Sequence, residues 1–153
     1  MPTTAAIRQC VEADADIVVK LLPQLWPDLA IDRNKAKATF CKSARSGSHR
    51  HFCATVDERI VGYCSMSTKH SLWCQGSIAH VDEIIVDTQF RGQGIGTQLL
   101  KQVENSARDM GCERIELDSA LHRTDAHQFY EGLGFENRAH LFSKRLTNRG
   151  NDA

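Results

Sequence analysis

The sequence has 153 residues, the usual length of one globular domain. Hydrophobic residues make up 41% and charged residues 25% of the chain, a balance that excludes a disordered or fibrous protein. Nineteen Lys and Arg residues match nineteen Asp and Glu residues, so we expect no bulk electrostatic partner such as nucleic acid or an anionic membrane, and any charged ligand must be bound locally.

The first half of the chain predicts a strand, two helices and a hairpin. A strand over residues 5–11 precedes an amphipathic helix, and Asp32 is the capping residue of a second helix, which stops near Gly47. Strands over 51–56 and 59–67 then pair as a hairpin. The first helix is bent or ended by two prolines, and its apolar residues share one face: Ile17, Val18, Leu21, Leu22 and Leu25.

The second half predicts a long helix between two strands. A loose connection over 69–77 leads to a strand over 78–86, and a glycine-rich turn follows. Gly111 closes the helix after the turn, and a strand over 113–119 comes next. The apolar face of this helix is made by Ile95, Leu99, Leu100, Val103, Ala107 and Met110.

The end of the chain predicts a short helix closed by Gly134, a strand over about 140–146 and a loose tail over 148–153. The order of elements predicts one mixed α+β domain over 1–147, with a central sheet flanked by about four helices. No run is long and apolar enough to span a membrane, and no signal peptide is recognisable, so we expect a cytoplasmic protein. Six cysteines without a C-x-x-C pair do not indicate a disulfide framework.

The most informative stretch is the glycine-rich turn between the 78–86 strand and the long helix. It contains Gly92, Gly94 and Gly96, and it opens directly into the helix. Unpaired N–H groups at a helix start bind phosphate, and glycines let a pyrophosphate approach the backbone, with Arg91 as a nearby cation. The alternative is a tight turn with glycines needed only for packing. The spacing is neither that of a dinucleotide-binding turn nor that of a P-loop.

Two motifs resemble one family. Arg91, Gly94 and Gly96 match the R/Q-x-x-G-x-G/A element of the GNAT superfamily of acyl-CoA-dependent N-acetyltransferases, and residues 126–135 resemble its A-x-x-F-Y-x-x-x-G-F signature. Arg123 stands where many members have Asn, which removes or relocates a contact on the cofactor side. The surroundings of the second motif are similar to the branch that contains bacterial aminoalkylphosphonate N-acetyltransferases.

The resemblance implies a mostly antiparallel sheet of about six to seven strands, splayed between the fourth and fifth strands, where acetyl-CoA binds. The strand contacts to acetyl-CoA would come from Ile84, Ile85 and Val86. The pyrophosphate contacts would come from Arg91, Gly92, Gln93, Gly94, Ile95, Gly96 and Thr97.

The resemblance also implies direct attack of an amine on the thioester. An alkylammonium with a pKa near ~10.4 is almost fully protonated at neutral pH, so a carboxylate must help to remove its proton. We assign this base to Glu83, whose burial beside Val81 and Ile85 would raise its pKa. A one-residue change of register would make Glu83 a surface acid, with Asp82 or His80 as the substitute base.

The departing thiolate needs a proton, and Tyr130 is the family's usual donor, since its phenol is a weak acid. The alternative for Tyr130 is a core aromatic on an amphipathic helix. The oxyanion is expected to meet a backbone N–H at Ile85 or nearby. His49, His51 and Cys53 share a strand face at period two, but without a distant ligand we expect no metal there.

The predicted function is acetylation of a primary amine of a small molecule. Between Asp32 and Arg50 there are six bases and one acid. Such a run of charge is most often a solvated helix face. It also favours an acceptor with an anionic group, unless part of the charge serves the CoA 3′-phosphate. Two alternatives stay open: acetylation of a protein or peptide amine, and a non-catalytic acetyl-CoA-binding regulatory module. The resemblance also allows a homodimer.

Overall fold

The computed structural model of the chain describes residues 4–146. The strands are β1 (Ala6–Gln9), β2 (His49–Val56), β3 (Arg59–Ser71), β4 (Gly76–Val86) and β5 (Cys112–Leu117), and the α-helices are α1 (Ala15–Leu25), α2 (Arg33–Ala44), α3 (Ile95–Asp109) and α4 (Thr124–Gly132). The chain divides into two compact units, Met1–Leu117 and Asp118–Ala153. The first unit holds the whole sheet with α1 to α3, and the second holds α4.

The five strands of the first unit form one mixed sheet in the order β1-β2-β3-β4-β5. The pairs β1–β2, β2–β3 and β3–β4 are antiparallel, and β5 runs parallel to β4 after the α3 crossover. The predicted α+β class with about four helices is confirmed.

The expectation of six to seven strands is wrong for the described part of the chain, which has five. The strand predicted over about 140–146 is not formed, and residues 135–146 have no regular secondary structure. Strand-like composition does not suffice there, because a strand also needs a neighbour that accepts its backbone hydrogen bonds. The tail predicted over 148–153 lies outside the described residues.

Helix boundaries follow local capping signals. The Asp32 carboxylate accepts a hydrogen bond from the Lys35 N–H at 3.1 Å and begins α2, as predicted. Gly111, with φ of 77°, follows the end of α3, also as predicted. Pro23 lies in the last turn of α1, and the helix ends two residues later at Leu25.

The sheet separates two helical layers. Tyr63 and Ile85 pack into a buried cluster with residues of α1 and α2, among them Phe40. Gly62, the neighbour of Tyr63 in β3, faces Leu99 of α3 instead. Because successive residues of a strand point to opposite faces, α1 and α2 cover one face and α3 covers the other.

The connection predicted as loose over 69–77 is a hairpin. β3 continues to Ser71, which pairs with Gly76 at the start of β4. The turn between them holds Gln75 at φ of 60°, and the Arg114 guanidinium lies 5.2 Å from the centre of the Trp73 ring. The backbone hydrogen bonds of a long antiparallel pair therefore order a segment whose composition resembles a loop.

The other predicted hairpin, around Asp57 and Glu58, is confirmed, and both residues have positive φ, 50° and 66°. The six cysteines are free. None of the described helices is long and apolar enough to cross a membrane.

Candidate functional site

The carboxyl end of β4 lies where the sheet opens. β5 pairs with β4 only along Ser77–Val81, so among the described residues β3 is the only sheet neighbour of residues 82–86. This end of β4, which β5 does not pair with, lies where the opening between the fourth and fifth strands was expected. It contains the three residues predicted to contact acetyl-CoA from the strand: Ile84, Ile85 and Val86.

The backbone groups of this segment alternate between β3 and the open edge. The Asp87 N–H donates to a β3 carbonyl at 2.8 Å, so Ile85, two residues earlier, also points toward β3. Ile84 and Val86 point the other way, and the Val86 carbonyl accepts a hydrogen bond from Arg91 Nε at 3.0 Å. A ligand that pairs with the open edge would meet Ile84 and Val86. The oxyanion donor was expected to be the N–H of Ile85 or one nearby, and of these the N–H of Ile85 itself points toward β3 and away from the open edge.

The glycine-rich turn leaves room at the start of α3. Gly92 and Gly94 have φ of 76° and 83°, and no described atom lies within 4 Å of a Cβ placed on either residue. The first three N–H groups of α3, those of Ile95, Gly96 and Thr97, have no acceptor within the helix. Because these donors and the helix dipole favour an anion, the turn fits a pyrophosphate group.

A β-bulge in β4 decides which way Glu83 faces. Ser65 of β3 pairs with Glu83, and the next residue, Met66, pairs with Val81, so Asp82 has no residue opposite. Since Ser65 and Met66 point to opposite faces, Glu83 and Val81 do too. The expectation that Glu83 is buried beside Val81 is therefore wrong. Sequence alternation alone placed both on one face because it could not include the bulge.

Glu83 lies on the face covered by α1 and α2. Its Oε2 accepts a hydrogen bond from Ser65 Oγ, and Ile85 and Tyr63 pair with each other on the same face. Burial raises the pKa of Glu83 above its usual value; the Ser65 hydrogen bond opposes that rise, and the charge of Asp82 adds to it. A carboxyl with a raised pKa is suited to accept a proton near neutral pH.

The two residues considered as alternative bases, His80 and Asp82, form a hydrogen bond with each other. His80 Nδ1 lies 3.0 Å from Asp82 Oδ1, which also accepts a hydrogen bond from Ser67 Oγ at 3.0 Å. Their side chains are 26% and 29% exposed. Because Ser67 and Ser65 share a face of β3, Asp82 lies on the same face as Glu83, but Asp82 is exposed whereas Glu83 is half-buried.

Behind Ser65, a row of buried polar side chains crosses the sheet. Tyr63 lies two residues before Ser65 in β3, and its hydroxyl oxygen lies 2.6 Å from His51 Nδ1. His51 Nε2 lies 2.9 Å from Ser43 Oγ of α2. Burial raises the pKa of Tyr63, and burial followed by the charge of His49 lowers the pKa of His51.

The residues weighed as metal ligands do not form one group, because both ring nitrogens of His51 bond to protein hydroxyls. Within the described residues, the ligand atoms that come within 4.8 Å of one another belong to Cys10, Asp14 and Cys53. The two Asp14 oxygens accept hydrogen bonds from the Arg8 guanidinium at 2.8 and 2.9 Å. The carboxylate of this group is therefore already engaged by a cation.

A basic groove lies between α1 and α2 on the same side of the sheet as Glu83. It has a volume of about 210 Å³, and a Lys37–Asp16 ion pair of 3.1 Å lies within it. The groove is lined by Asp16, Val19, Lys20, Arg33, Asn34 and Lys37. The surplus of positive charge favours an anionic group.

The second unit carries the other predicted catalytic residue. Tyr130 lies near the end of α4 and is buried, with the rings of Phe129 and Phe135 at 5.3 and 6.0 Å. Arg123, the departure from the family pattern, occupies the position before α4 and makes no capping hydrogen bond with its side chain. The signature residues therefore form an aromatic group around Tyr130.

The residues that the sequence analysis did not single out are Tyr63, Ser65, Ser43 and Lys20. Tyr63 and Ser65 meet their partners through the register of β2, β3 and β4, and Ser43 meets His51 through the packing of α2 on β2; the sequence displays neither. One signal for these residues was available in the sequence. Tyr63 and Ser65 place polar groups at alternate positions of a strand that is otherwise rich in apolar residues, so both lie on one face.

Comparison with known proteins agrees with this geometry. Residues 15–135 match the model of the acetyltransferase (GNAT) family. The chain is 29% identical over 140 residues to the aminoalkylphosphonate N-acetyltransferase of Salmonella typhimurium, covering 92% of this chain and 90% of that protein. It is 30% identical over 134 residues to an aminoglycoside N(6′)-acetyltransferase of Stenotrophomonas maltophilia, with 85% of each chain covered.

Solved structures agree as well. A Bacillus halodurans protein described as a transcriptional regulator has a TM-score of 0.81 and 26% identity, and the match covers 94% of this chain and all of that one. An aminoglycoside acetyltransferase in complex with a CoA bisubstrate analogue has a TM-score of 0.80 at 23% identity, with 94% and 100% covered, which shows the shared fold.

Proposed function

The chain belongs to the acetyltransferase (GNAT) family, and from this premise we propose that it transfers the acetyl group of acetyl-CoA to a primary amine of a small molecule. The observation that carries this proposal is the continuous path from the open end of β4 through the glycine turn to α3. It offers an open strand edge beside a pyrophosphate site. The family model spans both compact units, which supports one acetyltransferase domain over 1–147.

Acetyl-CoA binds as the co-substrate at this path. Its pantetheine pairs with the open edge at Ile84 and Val86, while Ile85 keeps that edge in place through its bonds to β3. Its pyrophosphate lies on the turn of residues 91–97, where the N–H groups of α3 point outward and Arg91 supplies positive charge.

The reaction is a direct transfer. The amine nitrogen bonds to the thioester carbon, the carbon–sulfur bond breaks, and its electron pair stays on sulfur. Glu83 accepts the proton that the amine loses, and Tyr130 donates a proton to the sulfur. Support for Glu83 comes from its raised pKa and its place on the α1 and α2 face. Support for Tyr130 comes from its position in the family signature.

The acceptor carries an anionic group besides its amine. The support is the groove between α1 and α2, whose bases Lys20, Arg33 and Lys37 outnumber its acid, Asp16. Among the relatives, the Salmonella protein is named for an aminoalkylphosphonate and a Trypanosoma brucei relative for glucosamine 6-phosphate, which are both amines with an anionic phosphorus group.

A panel of amines tests the function. CoA release is measured with aminoalkylphosphonates, phosphorylated amino sugars, aminoglycosides and lysine peptides, with acetyl-CoA present. We expect release above background with the small anionic amines. Tight acetyl-CoA binding without release for any amine would contradict the proposal and favour the regulatory module, and release with peptides alone would favour protein acetylation.

Substitutions in the groove test the acceptor class. For Arg33→Ala with Lys37→Ala we expect KM for an aminoalkylphosphonate to rise about tenfold, because about two charge-assisted contacts are lost. KM for an alkylamine of the same length without phosphorus should stay the same. Lys101→Ala on α3 is the matched surface control. An equal rise for both amines would mean that the groove shapes the site without recognising charge. The homodimer stays a prediction, which light scattering can measure.

A further inference from the structure

A short 3₁₀ turn, Thr88–Phe90, connects β4 to the glycine turn, and we call it the connecting turn. The backbone passes through it on the way from the end of β4 at Val86 to Gly92. Its conformation therefore sets the position of the glycine turn relative to the sheet. The first N–H groups of such a turn have no acceptor within the turn, so other groups must supply one.

Asp87 caps the connecting turn. Its carboxylate accepts a hydrogen bond from the Gln89 N–H at 3.1 Å, and its carbonyl accepts one from the Phe90 N–H at 2.8 Å. From β3, the Arg59 guanidinium lies 3.8 Å from the Asp87 carboxylate and 5.8 Å from the centre of the Phe90 ring. The cap thus engages the second and third N–H groups of the turn, and the first, that of Thr88, requires a different acceptor.

That acceptor comes from α1. The Thr88 N–H donates to Gln24 Oε1 at 2.9 Å, across 64 residues of sequence. Gln24 is half-buried near the end of the helix. Helix α1 is a firm support, because several of its side chains are buried in the cluster that covers the sheet: Ala15, Val18 and Leu21. The bond to Gln24 therefore joins the connecting turn to a helix anchored in the core.

We propose that Gln24 is a positioning residue for the glycine turn, because its bond to the Thr88 N–H keeps the connecting turn in the conformation that directs the N–H groups of the glycine turn at the pyrophosphate of acetyl-CoA. This inference rests on the proposed binding of acetyl-CoA at residues 91–97. A turn that is ordered before the ligand arrives loses less conformational entropy on binding. Gln24 neither contacts the ligand nor transfers a proton.

The test is Gln24→Met, which keeps the length and helix propensity of the side chain and removes the acceptor. We expect the Kd of acetyl-CoA to rise about threefold to tenfold, which corresponds to the loss of one net hydrogen bond. The Kd of pantetheine, which lacks the pyrophosphate, should stay the same. Calorimetric titration measures the first constant and NMR titration the second. Gln9→Met is the matched control and should change neither, because Gln9 is exposed on β1, at the other edge of the sheet from β5.

Thr88→Pro removes the donor of the same bond. Proline suits the first position of a helical turn, and Asp87 has a ψ of 134°, within the range that a residue before proline requires. If Gln24 acts through this N–H, Gln24→Met should raise the Kd of acetyl-CoA no further when Thr88→Pro is already present. An equal rise with and without Thr88→Pro would mean that Gln24 acts by another route, and would overturn the inference.

The amide chemical shifts of Gly92 and Gly94 report the glycine turn in the ligand-free chain. They should change in Gln24→Met and stay in place in Gln9→Met. If Gln24→Met lowers Tm but leaves these shifts and the Kd of acetyl-CoA unchanged, Gln24 only stabilises the fold and the inference is overturned. If the wild type binds acetyl-CoA and pantetheine equally well, the proposed pyrophosphate site is overturned instead, and the two glycine shifts still decide whether Gln24 positions the turn.

Discussion

Asp14 joins the first strand to the first helix through three hydrogen bonds. Its carboxylate accepts two from the Arg8 guanidinium and one from the Val11 N–H at 2.8 Å. The bonds to Arg8 lower the pKa of Asp14, burial opposes them, and the Val11 bond assists them. A carboxyl with a lowered pKa stabilises the folded state above its unfolded pKa, and this stabilisation is lost as the pH falls through its folded pKa.

For Asp14→Asn we therefore expect a loss of about 1–3 kcal/mol in the free energy of unfolding at pH 7, since the bonds to Arg8 lose their charge. The difference from the wild type should shrink below pH 4 and vanish once the wild-type carboxyl is protonated. Urea unfolding at pH 7, 4 and 2.5 measures it. Asp16→Asn is the control, because Asp16 is 69% exposed and its pair with Lys37 contributes little. A difference that stays constant with pH would contradict the ionic origin.

Tyr130 carries the other residue-scale prediction. Tyr130→Phe keeps the aromatic contacts with Phe129 and Phe135 and removes the hydroxyl that we propose as the proton donor, so kcat should fall by about 100-fold while the Kd of acetyl-CoA stays nearly the same. Steady-state kinetics and calorimetric titration measure the two quantities. An unchanged kcat would contradict the proton-donor role and indicate that Tyr130 is a core aromatic residue.

Helix α3 packs tightly against the sheet beside Gly62. A Cβ on Gly62 would lie 3.1 Å from Leu99 Cδ1 and 3.3 Å from the Ile85 carbonyl oxygen. Leu99 is fully buried and cannot move aside without disturbing α3. The approach of α3 to the sheet, and with it the position of the glycine turn at its start, depends on this missing side chain.

We expect Gly62→Ala to lower the free energy of unfolding by about 1–3 kcal/mol through overpacking. Chemical denaturation measures the change. Gly47→Ala is the matched control, because no described atom lies within 4 Å of a Cβ there and the expected effect is within about 0.5 kcal/mol. If the two substitutions lowered the free energy of unfolding equally, the loss would come from the backbone conformation and not from the contact with Leu99.

The same elements show what the sequence could and could not predict. Helix α3 and its turn were predictable, because apolar periodicity and glycines at positive φ are properties of neighbouring residues. The bulge at Asp82 was not, since it arises from the pairing of β3 with β4, two elements with separate sequence patterns. The strand over 140–146 failed for the related reason that strand-like composition does not supply a neighbouring strand.

The candidate site divides in the same way. Motif residues such as Arg91 and Gly94 were accessible because a family motif is a local string. The direction of Glu83 and its partner Ser65 depended on register, and the groove depended on which helices share a face of the sheet. Local chemistry was therefore predictable, whereas contacts between distant segments required the fold.

At the scale of the whole molecule, zero net charge conceals local charge. Lys20, Arg33 and Lys37 gather at the groove between α1 and α2, and Asp82 and Glu83 lie together in β4. The balance excludes bulk attraction to a polyanion, but a small anion can still be bound by focused charge and by backbone donors. Binding of acetyl-CoA should therefore depend on local contacts. A ligand that binds only the folded state also stabilises that state.

Acetyl-CoA should consequently raise the thermal stability of the chain. At a concentration of about 100 times Kd, a ligand of the folded state alone adds about 2.7 kcal/mol, which corresponds to a rise in Tm of roughly 5–10 °C for a domain of this size. Pantetheine, which lacks the pyrophosphate, is the control and should raise Tm much less, because it does not engage the turn at Gly92 and Gly94. Differential scanning fluorimetry with each ligand measures both. Equal Tm shifts with the two ligands would contradict the role of the turn as the main anchor. A full Tm shift with acetyl-CoA, without CoA release for any acceptor amine, would favour a binding module over an enzyme.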